Sequence, residues 1–147
     1  MDRERPAPEH RRPPGVTDET VAALGKLSEA LEAVERARGH LYSFHQLTGH
    51  ADRQLGEAAD LLDAAGHGEF ARTLRETVVG RNVIEGRWTF QIVEEFDDGY
   101  YRDLRFFEQD ARDALVQGRR HLFEAEMKER RRTHDRRHHE ARPGEGD

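Results

Sequence analysis

The sequence predicts an all-α fold, an antiparallel three- to four-helix bundle with disordered N- and C-terminal tails. Three observations carry this expectation. Apolar residues recur at steps of three and four through much of residues 17–130, the period of a helix with one buried face. The one strand-like stretch, where Trp88, Phe90 and Ile92 alternate, has no partner strand elsewhere in the chain, and an unpaired strand is not stable. Connections between the periodic segments are short, which favours antiparallel neighbours.

Residues 1–16 hold four of the five prolines and almost no apolar side chains, and residues 130–147 contain no large apolar residue. Neither end buries enough surface to offset its ordering entropy, so a disordered arm is expected at 1–16 and a disordered basic, His-rich tail at 131–147. Between them the first helix opens at Thr17, a capping residue followed by Asp18 and Glu19, where the helix dipole favours negative charge. Leu24, Leu27, Leu31, Val34 and Leu41 form its seam, with Gly25 as a weak point and with Arg38 and His45 turning the seam polar.

Thr48-Gly49-His50 is a possible break, yet the apolar period survives it, so residues 17–65 read as one bent helix or as two. Ala65-Gly66-His67-Gly68 is a clearer stop, since glycine suits the left-handed position after a helix. A helix from Glu69 is expected to bury Phe70, Leu74 and Val78. From Gly80 onward, Ile84, Trp88, Ile92, Phe96 and Tyr100 lie four apart, which predicts another helix, with Gly80 and Gly86 as kinks. Asp97-Asp98-Gly99 reads as a turn. The last helix is expected over about 100–130, with Leu104, Phe107, Ala111, Leu115, Leu122 and Phe123 inward.

Composition removes several function classes. Cysteine is absent, which excludes disulfides, thiolate metal sites and cysteine nucleophiles. No apolar run reaches membrane-spanning length and the N-terminus lacks a signal-like apolar segment, so the expectation is a cytoplasmic protein without a membrane partner. The net charge of −6 conceals an acidic centre and a basic tail. Residues 93–113 carry eight acids against three arginines, and residues 128–139 carry six Lys/Arg against two acids. Charges of opposite sign predict attraction between these segments, in cis or between copies. The tail is also a candidate for weak nucleic-acid binding, although it has no aromatic residue for base stacking.

For catalysis the residues offer little. Ser28 and Ser43 are the only serines, and no glycine-rich phosphate loop precedes a helix. No histidine has Glu three residues before it, so the paired motif of di-metal bundles is missing. The reversed spacing occurs at His121 and Glu124. With His45 and Glu85 these make the candidate metal set, which would suit Zn, Fe or Mn, while the bland reading expects no cofactor. A candidate ligand cleft gathers Arg81, Glu85, Arg87, Trp88, Glu94, Asp98 and Tyr100, with the aromatic rings as a wall. Ordinary ion pairs and core packing compete with both readings.

The runs LYSFHQLTGHADRQLGEAADLL and GRNVIEGRWTFQIVEEFDDGYY resemble an uncharacterised group of small actinobacterial helical proteins, over roughly residues 17–130. The resemblance implies a bacterial cytoplasmic setting and supplies no activity, cofactor or site residue. The expected role is a non-enzymatic protein-interaction or self-associating module, with a protein partner or a second copy. A metal- or small-ligand-binding bundle is the alternative.

Overall fold

A computed structural model describes residues 3–142, and within them the chain is all-α with no strand. Five α-helices follow one another: α1 (Asp18–Ala64), α2 (Gly68–Thr77), α3 (Thr89–Phe96), α4 (Arg102–Val116) and α5 (Leu122–Arg131). A short 3₁₀ turn, Pro8–His10, precedes them, and a π-helical turn, Asp97–Tyr101, leads from α3 into α4. Among the described residues no helix is long and apolar enough to cross a membrane.

Thr17 starts α1 as its side chain dictates, its hydroxyl accepting the Thr20 backbone N–H at 3.2 Å. Thr48-Gly49-His50 does not interrupt the helix, which runs as a single element of 47 residues. One glycine costs only about 1 kcal/mol in a helix, and the helical period continues on both sides of it. The helix ends where Gly66 turns left-handed at φ +87°. There His67 N–H reaches Leu62 O and Gly66 N–H reaches Asp63 O, the double closure that satisfies the last carbonyls.

Two compact units divide the chain, Met1–Ala33 with Asp103–Asp147, and Val34–Arg102. In the first, Val21, Val116 and Leu122 form the buried cluster, with Val16 and Leu24 packed against it. Gly25 has a positive purpose here: a Cβ at that position would meet the Phe123 ring at 2.9 Å, so glycine lets α5 lie close on α1. The α4–α5 break is a correction to the expected single helix over 100–130. Gln117, Gly118 and His121 all adopt left-handed φ, and Arg112 Nη1 donates to Gly118 O at 2.9 Å, closing the end of α4.

The same unit joins the described residues near the two termini. Arg12 forms a two-pronged pair with Glu126, both bonds 2.9 Å, and donates to Asp18 at 2.7 Å. Arg132, its side chain 2% exposed, donates to the Glu4 carboxylate and backbone carbonyl at 2.7 Å each, and to Glu129 at 2.7 and 2.9 Å. Ala141 N–H reaches Arg3 O at 3.0 Å. Residues 3–16 and 131–142 therefore carry specific contacts where the sequence led us to expect disorder. Charge pairing, which apolar counting ignores, holds them. The remaining tail residues lie outside the described ones.

In the second unit, α2 is tied to the end of α1 by Arg75, which donates to Asp63 at 2.6 Å and to Asp60 at 2.7 Å. Its inward residues are Ala71, fully buried, and half-buried Leu74, whereas Phe70 and Val78 are exposed. Residues 81–88 are not the expected helix. Gly80 and Gly86 both take positive φ, an isolated bridge joins Ile84 to Arg87, and Trp88 is extended at ψ 153°. The two glycines defeat the four-residue spacing there. Helix resumes at Thr89, where Trp88 N–H donates to Gln91 Oε1 at 2.9 Å, one half of a capping box.

Candidate functional site

The polar positions in the seam of α1 are where the second unit concentrates its chemistry. Arg38 and Tyr42 lie one turn apart on α1 and face the π turn. Arg38 holds Asp97 with Nε at 2.7 Å from one carboxylate oxygen and Nη2 at 3.1 Å from the other, a forked geometry. The Tyr42 hydroxyl donates to the second oxygen at 2.9 Å. The guanidinium carbon sits 4.8 Å from the Tyr42 ring centre and 4.7 Å from that of Tyr101, in cation–π range of both. Tyr101, buried, donates its hydroxyl to Glu35 at 2.7 Å, and Phe96 stacks on it at 6.2 Å.

These contacts set the charge states. The Arg38 guanidinium holds the Asp97 carboxyl below the usual carboxylate range, against an opposing push from burial, and Tyr42 adds to the lowering. Tyr42 is raised, chiefly because its hydroxyl donates to that carboxylate. Both Asp97 oxygens and both tyrosine hydroxyls are engaged, so the cluster clamps the π turn. The sequence had marked Arg38 as a break in the seam and Glu94–Asp98 as an unexplained acidic run. Which acid Arg38 would choose depended on the π turn, which sequence periodicity does not show.

Also within the second unit, α1, the 78–83 segment and the start of α3 line an open groove of about 580 Å³. Arg81 and Trp88, two of the expected cleft residues, line it, together with Thr48, Asp52, Leu55, Val83 and Phe90. The other expected residues go elsewhere. Glu85 is exposed on the turn between the positive-φ glycines; Arg87 pairs with Glu95; Glu94 and Asp98 are exposed on α3 and the π turn. Tyr100 is exposed and pairs with Phe96 at 6.0 Å. The expected cleft thus reduces to Arg81 and Trp88, because a turn at Gly86 carries Glu85 and Arg87 away and the other three residues belong to α3 and the π turn.

Among the described residues no group of three or more His, Asp or Glu is gathered to hold a metal ion. The set His45, Glu85, His121 and Glu124 is not such a group. His45 is half-buried with Nδ1 2.7 Å from the Thr89 hydroxyl, joining α1 to the first residue of α3. His121 takes the left-handed N-cap position of α5, 6.5 Å from the His10 ring, and Glu124 lies in the first turn of that helix. In the basic tail, Arg132 is committed to Glu4 and Glu129, and Arg142 donates to Arg5 O at 2.8 Å.

The groove was missed because its α1 wall, Thr48, Asp52 and Leu55, and Phe90 of α3 lie far apart in the chain and only the fold joins them. One signal was available: the sole Trp lies beside two glycines that hold a helix off. Compared with family models, with curated proteins and with solved structures, the chain has no match.

Proposed function

We propose that this protein is a non-enzymatic helical interaction module that associates with copies of itself through apolar helix faces, completing an antiparallel bundle. The observation that carries the reading is the exposure of aromatic residues. Of the seven phenylalanines in the chain, six (Phe44, Phe70, Phe90, Phe106, Phe107 and Phe123) are exposed, while the buried hydrophobic set among the described residues is only seven residues. Soluble monomers rarely leave so much large apolar surface uncovered. On α4, Leu104, Phe107, Ala111 and Leu115 follow at steps of three and four, and Phe107 and Leu115 are exposed at 63% and 52%. A stripe of that width is what a second helix packs against.

The clamp supports the same reading, since its polar atoms satisfy one another and hold an element in place. A bacterial cytoplasmic setting belongs to the proposal as well. Light scattering across a protein dilution series tests it: the expected result is a mass above one chain that falls on dilution, and a single-chain mass throughout would end the proposal.

A further inference from the structure

Size places the groove in the second unit among small-molecule sites, at about 580 Å³. Its walls are apolar, with Leu55 on α1, Val78 and Val83 on the connecting segment, and Trp88 with Phe90 at the start of α3. The Trp88 and Phe90 rings meet at 5.2 Å and 55°, and both stay exposed. Gly49 and Ala51 on α1 leave the floor low; a Cβ added at Gly49 would meet nothing within 4 Å.

The polar groups of the groove differ in availability. Asp52 accepts the Gly80 N–H at 2.7 Å, and the Thr89 hydroxyl is held by His45. Arg81 lines the same space, and its guanidinium has no hydrogen bond or ion pair among the described residues. An unpaired cation beside an aromatic wall complements an anion that carries an apolar body. The geometry points to a binding site for an amphipathic organic anion, with one carboxylate or sulfonate on a flat or chain-like apolar body. Its acid group pairs with Arg81, and its body lies against Trp88, Phe90 and Val83.

Trp88 is the only tryptophan, so it reports on this groove without labelling. The probes are anilinonaphthalene sulfonate, its uncharged relative phenylnaphthylamine, and decanoate as a competitor. Energy transfer from Trp88 to the bound sulfonate is expected, with displacement by decanoate. Arg81→Ala should weaken the sulfonate roughly tenfold and leave the uncharged dye unchanged. Ala51→Phe should remove both dyes by filling the groove, with Gly49→Leu as the second filling variant and circular dichroism to show that helix content is kept. Dye binding without transfer from Trp88, or unaffected by both filling variants, would place the dye on other apolar faces and overturn the site. An Arg81→Ala variant that binds both dyes as before, or loses both equally, would overturn the anion assignment.

Discussion

Arg38 shows how one side chain can fix a backbone irregularity. It grips Asp97 at the start of the π turn and lies over the ring of Tyr101 at its end. Removing it leaves a half-buried carboxylate with only the Tyr42 hydroxyl and no charged partner, so Arg38→Ala should lower stability by about 1–3 kcal/mol in chemical denaturation. The pH dependence follows from the two shifts. Asp97 is lowered in the folded state, so its contribution is fully present above about pH 4 and is lost as pH falls through its folded value. Tyr42 is raised, so its contribution is fully present below about pH 10 and is lost as pH rises through its folded value. Thermal midpoints should therefore fall on both flanks, and Asp97→Asn should flatten the acid limb. An acid limb identical in that variant would refute the assignment.

At the scale of elements, glycine decides much of the architecture, and in ways the sequence shows unevenly. Gly66 was legible as a stop because a left-handed residue after a long periodic run has few other readings. Gly25 was not, since its reason for being there is the Phe123 ring, almost a hundred positions on. Alanine at that position gains helix propensity of about 1 kcal/mol but drives a methyl into ring carbons. Gly25→Ala should be net destabilising by about 1–2 kcal/mol, and the Gly25→Ala/Phe123→Ala pair should show coupling in a double-mutant cycle. Additive effects would separate the two residues.

The 81–88 segment failed as a helix for a similar reason. Its apolar spacing was correct in number, but two positive-φ glycines outrank periodicity. Gly99, by contrast, tolerates a π turn rather than ending the helix, so the expected turn at 97–99 stayed helical.

Across the whole molecule, apolar counting predicted where helices form better than where the chain is held. The all-α class was readable because periodic stretches dominate the sequence. The contacts of residues 3–16 and 131–142 were not legible because their anchors are arginines: Arg12 on Glu126, and Arg132 on Glu4 and Glu129. Arg132 holds both Glu129 and Glu4 below the usual carboxylate range. Arg132→Ala should release residues 3–16 and 133–142 to fast proteolysis while the helices stay protected. Equal protection of those ends in the variant would contradict the latch.

The apolar face of α4 is the counterpart of these polar anchors, a surface that the single chain leaves uncovered. Sedimentation velocity of the wild type beside Phe107→Glu/Leu115→Glu tests the self-association reading most directly, because both positions are exposed and the charges can be added without disturbing the core. The reading predicts an oligomer for the wild type and a helical monomer for the variant. The same oligomer in both, or a monomeric wild type, would contradict it.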